Sequence, residues 1–379
     1  MKKSLTPRLG KLAAVAAAGA LALTACGDGV VDQGGGSGET FEFTQANGAL
    51  DGTPHAAVSE AYMDAVEEAS DGQITFERTS FEATCAMDEV ADCVSDGRAD
   101  IGVTVTDYTP HLLPTLSVMS ISFLNNDIQA SVEALYDVHN NYEPASQELE
   151  NANLEYIGAW PVGALLLGSD EPIESLEAVN GMSARAAGPV TQRTLEAAGI
   201  NVNAITAAET YESLQRGVID SVASSLDFAV NYNITEQLPY WVDPGLGQYT
   251  AYGMWWNKDA YDSLTPELQE TVDGVTQEFN QGEIIATSNG ALEEVCQGML
   301  DSPDVENFSS WPEEETQAWE DLAGDEAQAA WLEIMEDYNF TDAEAYLDEY
   351  VAAYESHESE ENPVDAGIAC ADTWQEQNS

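Results

Sequence analysis

Basic residues are scarce in this chain of 379 residues: 10 Lys and Arg stand against 69 Asp and Glu, a formal charge of −59. Phosphate binding needs clustered Lys and Arg, so nucleic acid is excluded as a natural partner. Docking onto anionic lipid is disfavoured for the same reason. Lys2, Lys3, Arg8 and Lys11 sit together at the front of the chain, which leaves Arg78, Arg98, Arg185, Arg193, Arg216 and Lys258 for everything else. Self-repulsion at this density is strong unless salt screens it, and the Debye length shrinks from about 10 Å at 0.1 M to about 3 Å at 1 M. A saline habitat is the expectation.

Long apolar runs are lacking too. The run Leu12 to Leu23 is too short and too rich in alanine to make a good membrane span. With the cations before it and Leu23-Thr24-Ala25-Cys26 after it, it reads as a bacterial lipoprotein signal over residues 1–25. Cys26 is then the lipid-carrying N-terminus, and residues 26–39, with GGGSG, form a flexible tether. The other cysteines, Cys85, Cys93, Cys296 and Cys370, are an even set outside the cytoplasm, which points to disulfides. The favoured pairings are Cys85–Cys93 and Cys296–Cys370. Zinc is the competitor, but CxxC spacing is missing and His55, His111, His139 and His357 show no ligand spacing. No metal and no cofactor are expected.

From Thr40 onward, strand and helix patterns alternate. FEFTQA (Phe41 to Ala46), Ile74 to Arg78 and Ala99 to Thr106 read as strands separated by helices, Pro54 to Ser70 and Met87 to Asp96. That order implies a parallel sheet with helices on both faces, and ligands in such sheets sit beyond the carboxyl ends of the strands. A helix is expected from Asp127 to Leu149 and a strand from Leu154 to Trp160. A second series follows, with strands at Ala164 to Gly168, Met182 to Ala186, Val202 to Ile205 and Val218 to Ala223. Gln248 to Asn257 reads as a strand crossing back to the first sheet, and helical pattern then runs almost to Glu355 with a break near Asp301 to Asp304. The expected fold is α/β and two-lobed, with a cleft between the lobes. Residues 40–162 with 251–290 make one lobe, and 163–250 with 291–350 the other. Residues 351–379 form an acidic tail.

Gly181 to Gly199 is the stretch around which these elements are arranged. It offers a short strand, the turn Ala187-Gly188-Pro189, and a helix that ends at a glycine. Arg185 lies at the end of that strand, where a guanidinium makes a good fork for a carboxylate. Asn47, Tyr108 and Ser224 stand at other strand ends, and Tyr249, Tyr252 and Trp160 are aromatics near the same place. His55 adjoins the loop that faces the cleft. Arg193, Arg78, Arg98 and Arg216 read as surface charges.

In series, several segments resemble the solute-binding proteins of tripartite ATP-independent periplasmic (TRAP) transporters, of the C4-dicarboxylate-binding type. DGRADIG (Asp96 to Gly102) is similar to the family's G-x-x-D-I-G, and LEAVNGMSAR (Leu176 to Arg185) to D-L-K-G-L-K-I-R. AAETYESLQRGVIDSV (Ala207 to Val222) resembles S-E-V-Y-T-A-L-Q-x-G-V-V-D-G, and WWNKDAYDSLTPELQ is similar to the N-K motif that follows. His55 to Gly72 with ITFER completes the set. The resemblance implies an α/β, two-lobed fold of the type II periplasmic-binding-protein kind, lobes that close on a ligand, a long helix spanning both lobes, and a membrane permease driven by an ion gradient as partner. It also implies that Arg185 grips the ligand's carboxylate. Where some members carry glutamate and asparagine, this chain has Ala223 and Ser224, and a second arginine found in some would fall near Leu165. The expected ligand is therefore a small organic acid with an apolar or aromatic body, bound by a monomeric receptor that performs no chemistry. The alternatives are an ABC-type sugar or oligopeptide receptor and, less favoured, a secreted hydrolase. A hydrolase would need a nucleophile constellation, and the chain has no G-x-S-x-G.

Overall fold

The computed structural model describes residues 39–378. The signal segment, Cys26 and most of the tether lie outside them. Strand β1 (Phe41–Asn47) leads through helix α1 (Pro54–Ala69) to β2 (Ile74–Glu77), and α2 (Val90–Ser95) leads to β3 (Ile101–Val105). Thr53 caps α1 by accepting from the Ala56 N–H, with Pro54 in the first turn, so the sequence punctuation acts as expected. β1 pairs in parallel with both β2 and β3.

One helix was expected between Asp127 and Leu149, but the structure forms two, α3 (Ile128–Asn141) and α4 (Glu143–Asn151). Pro144 lacks an N–H and sits in the first turn of α4, so the first helix stops before it. β4 (Leu154–Pro161) then closes the first sheet, whose order is β2-β1-β3-β10-β4, where β10 (Ala251–Asn257) arrives from much later in the chain and runs antiparallel to both its neighbours. That return strand was legible in the sequence.

The second lobe holds a six-stranded sheet. β5 (Leu166–Ser169) precedes β6 (Ser183–Ala186), α5 (Pro189–Ala197), β7 (Asn201–Ala204), α6 (Ala207–Gln215) and β8 (Ser221–Ser224). Next come α7 (Leu226–Asn231) and β9 (Tyr240–Asp243). The sheet order is β11-β9-β5-β8-β6-β7, with β11 (Asn307–Ser310) at one edge. The strands that cross between the lobes are zipped together: Ala164 bridges Gln248, and Val162, Leu165 and Tyr249 donate to the carbonyls of Thr250, Gly247 and Gly163.

After β10 and the short α8 (Lys258–Asp262), α9 (Pro266–Glu278) continues through a π turn at Phe279–Glu283 into α10 (Ile284–Asp301). α10 packs on α1 of the first lobe and on α7 of the second, so the long helix does span both. α11 (Glu313–Asp337) lies on α5, and α12 (Ala343–His357) on α3. The charge-rich stretch 351–379, which composition presents as an acidic tail, holds the end of α12 and a further helix, α13 (Ala366–Asn378), packed on α10 and β11. The structure joins Cys85 to Cys93 and Cys296 to Cys370, the latter tying α13 to α10, so these sulfurs are not available to zinc. Among the described residues, no helix is long and apolar enough to cross a membrane.

Candidate functional site

Arg185 is the next-to-last residue of β6, flanked by β7 and β8, and its side chain points beyond the strand ends into the space between the lobes. It is 2 % exposed. Its Nε donates to the Ile205 carbonyl at 2.8 Å, at the end of β7. Nη1 donates to the Tyr249 hydroxyl at 3.1 Å and the Ser224 hydroxyl at 3.4 Å, and Nη2 donates to the Tyr108 hydroxyl at 3.0 Å. The Phe228 ring lies 4.9 Å from the guanidinium carbon. Arg185, Ser224, Tyr108 and Tyr249 are thus brought together from four segments of both lobes and the crossing strand.

The turn after β6 allows this approach. Gly188 adopts φ +76°, and a Cβ there would lie 2.3 Å from Asp107 Oδ2, so the backbone passes directly over the Asp107 side chain. Asp107 accepts from Ser120 and Thr250, each at 2.6 Å, and burial pushes its carboxyl above the usual range.

Arg185 differs from every other cation among the described residues. Arg78 pairs with Asp64 and Glu67, Arg98 with Asp96, Arg193 with Glu333, Arg216 with Glu212, and Lys258 with Glu155 and Asp262. All of those pairs face solvent, as the sequence reading of Arg193, Arg78, Arg98 and Arg216 expects. Arg185 is buried and has no carboxylate partner among the described residues. Burial works against its charge, but the Tyr249 and Tyr108 oxygens outweigh that, and its pKa lies above the ordinary value.

Its neighbours are donors with protons to give. Tyr108 Oη accepts from Arg185 and from the Ala207 N–H at 3.1 Å, and Tyr249 Oη accepts from Arg185 and from the Ala187 N–H. Those bonds use oxygen lone pairs and leave the phenolic protons unused. Ser224 likewise only accepts from Arg185. The buried Tyr232 hydroxyl has no hydrogen-bond partner among the described residues. Burial lifts Tyr249 to about 12, with Arg185 opposing, and raises Tyr232 and Tyr252 further, so these phenols keep their protons. A buried cation ringed by hydroxyl donors lacks one thing, an acceptor with several lone pairs.

These groups line a narrow cavity, walled also by Phe228, Tyr252 and Asp227. The walls stand close, leaving about a water's worth of free room unless they part. Wider depressions elsewhere, such as that between Pro144 and Phe340, are open to solvent and lack a buried cation.

Other expected residues fall outside the cavity. Asn47 faces its own loop, donating to the Thr79 carbonyl at 3.1 Å and accepting from the Ala49 N–H at 2.9 Å. Trp160 stands one layer back, stacked on Tyr252. Leu165 is core. Sequence reading missed Asp227 and Phe228 on α7 and Tyr232 at its C-terminal cap, because that helix is six residues long and too short to show a helical period. The one signal was Ser225-Leu226-Asp227, a helix-start pattern directly after β8.

Residues 46–336 match the model of the bacterial extracellular solute-binding proteins, family 7. The chain belongs to that family. Solved structures agree in fold. A TRAP solute-binding protein from Rhodoferax ferrireducens, in complex with copurified benzoate, superposes with TM-score 0.73 at 19 % identity, covering 84 % of this chain and 98 % of that one. The periplasmic ectoine-binding protein of a Halomonas elongata TRAP transporter gives 0.70 at 20 % identity over 83 % and 100 %. A TRAP protein from Bordetella bronchiseptica with bound mandelate gives 0.70 at 19 % identity over 84 % and 100 %. As a family 7 solute-binding protein, the chain works outside the cytoplasm in transport.

Proposed function

We propose that this protein is the receptor of a TRAP transporter, closing its lobes on a small organic carboxylate and delivering it to a membrane permease. One observation carries this reading: Arg185 is buried, unpaired with any described carboxylate, and surrounded by hydroxyl protons with no acceptor. A carboxylate entering the cavity supplies the missing lone pairs, and the Tyr108, Tyr249, Ser224 and Tyr232 hydroxyls and the second Nη2 hydrogen of Arg185 can point to it. Charge-assisted hydrogen bonds contribute roughly 1.5–3 kcal/mol each, so a few of them supply much of the ~8 kcal/mol of micromolar binding. The ligands named for the similar structures, among them benzoate, mandelate and pyroglutamic acid, support the reading because each carries a carboxylate. A sugar receptor would offer acceptors and aromatic platforms, not a buried fork of donors. In this reading the protein binds and releases without chemistry, acts as a monomer, and is held at the membrane by lipid on Cys26 with residues 26–39 as its tether.

Calorimetric titration with a panel of small acids tests the assignment. Arg185→Lys should lose at least a hundredfold in affinity, because an ammonium with three hydrogens cannot hold Ile205, Ser224, Tyr249 and Tyr108 as the five-hydrogen guanidinium does and still donate to a carboxylate. Affinity unchanged by that substitution would refute it.

A further inference from the structure

The cavity has a second charged wall. Asp227, in the first turn of α7, lines it and is 3 % exposed, yet makes no ion pair with Arg185. Its Oδ1 accepts from the Ser225 hydroxyl, and its Oδ2 lies 3.3 Å from His55 Nε2, without the alignment of a hydrogen bond. His55 is 1 % exposed and stacks on Tyr252 at 4.0 Å between ring centroids, which fixes its plane. Its Nδ1 accepts from the Trp160 indole N–H at 3.1 Å. Indole nitrogen only donates, so Nδ1 carries no proton and the ring is the neutral tautomer with its hydrogen on Nε2. Protonating Nδ1 would set N–H against N–H inside the core. His55 therefore gives Asp227 a neighbouring dipole and no compensating charge.

One cavity thus holds a buried cation without an anion and a buried anion without a charged partner, among the described residues. Phe228, Tyr232 and Tyr252 line the same cavity, and aromatic rings themselves favour a cation. We propose that the ligand is a zwitterion, with its carboxylate on Arg185 and a cationic nitrogen, ammonium or amidinium, against Asp227. This rests on the carboxylate reading and adds a selection rule: an acid without a cation brings its negative charge into the same small space as Asp227 and leaves that carboxylate unmatched. A single charge-assisted hydrogen bond discriminates by roughly ten- to hundredfold.

The test is calorimetry on the purified full chain in concentrated salt with matched probes. Pipecolate and ectoine carry both charges, cyclohexanecarboxylate is pipecolate with its nitrogen replaced by carbon, and methyl pipecolate keeps the cation but masks the anion. The zwitterions should bind at least tenfold tighter than cyclohexanecarboxylate, and methyl pipecolate should not bind. In Asp227→Asn, nearly the same in shape, zwitterion affinity should fall at least tenfold while cyclohexanecarboxylate affinity rises, because a repelling charge has gone. Equal or tighter binding of cyclohexanecarboxylate by the unaltered protein overturns the zwitterion proposal and leaves the carboxylate reading standing. Binding of methyl pipecolate as tightly as pipecolate overturns the carboxylate reading. Failure of both zwitterions to bind overturns the proposal without any variant.

Discussion

Glu148 shows what burial does to a single acid in a chain that has so many. It lies on the buried face of α4 and accepts from the Thr115 N–H at 3.3 Å and from the Thr115 hydroxyl, whose oxygen also meets His139 Nε2 at 3.3 Å. Burial lifts its carboxyl to about 8, against the pull of the Thr115 bonds, and lowers His139 to about 4. Between pH 6.5 and 8 native Glu148 holds a proton that the unfolded chain has released. Stability therefore falls as pH rises, by up to about 1.4 kcal/mol per pH unit. Between about 4.5 and 6.5 His139 works the other way, because the unfolded chain takes a proton that the native ring refuses. Glu148→Gln keeps an acceptor for Thr115 without a titrating group, so its denaturation midpoint should stay flat from pH 6.5 to 8 while the unaltered protein declines. Parallel slopes for the two would refute this account. Arg185 was legible in the sequence because a strand, a Gly-Pro turn and a helix announce a strand end, and because cations are so few. Asp227 was not: one acid among 69 carries no signal until the fold buries it.

Elements were legible wherever period or punctuation was strong, and were lost where they were short. β9 and β11 have four residues each, and α13 buries Gly367, Cys370 and Ala371, small side chains that leave little hydropathic mark. What holds α13 is specific chemistry. Asp365 accepts from the Gly367 and Ile368 N–H groups at its start. Its other oxygen accepts from the Ala164 N–H at 3.1 Å and the Gln248 amide at 3.3 Å, one on each strand crossing between the lobes. The Cys296–Cys370 bond, separated by 74 residues, fixes the helix to α10. A staple of that span typically contributes about 2–4 kcal/mol, largely by restricting the unfolded chain. The Cys296→Ser/Cys370→Ser double variant should lose that much in denaturant titration. Adding reductant to the unaltered protein should bring it down towards the same midpoint, less whatever the Cys85–Cys93 bond contributes. A double variant as stable as the parent would show that the bond constrains nothing that packing does not already hold.

At the scale of the whole molecule the governing quantity is charge. With 69 acids against 10 basic residues, and the exposed cations among the described residues already paired, most surface carboxylates face one another across water. Unfolding spreads the same charges farther apart, so repulsion favours the unfolded chain until mobile ions screen it. Raising salt from 0.1 to 1 M cuts the screening length from about 10 Å to about 3 Å, below the spacing of many of these pairs. A few kcal/mol recovered in this way correspond to a rise on the order of ten degrees in melting temperature for a domain of this size. Sodium chloride should therefore raise the melting temperature steeply at first and then level off as screening saturates. Sucrose, which acts by exclusion and not by screening, should give a smaller and more linear rise at matched osmolality. Arg185 lies inside this negative field, yet its contacts are buried and little screened, so the affinity for a ligand of no net charge should change much less across that range than the melting temperature does. If sucrose matched the salt effect, or if the melting curves ignored salt altogether, charge repulsion would not be what limits this fold.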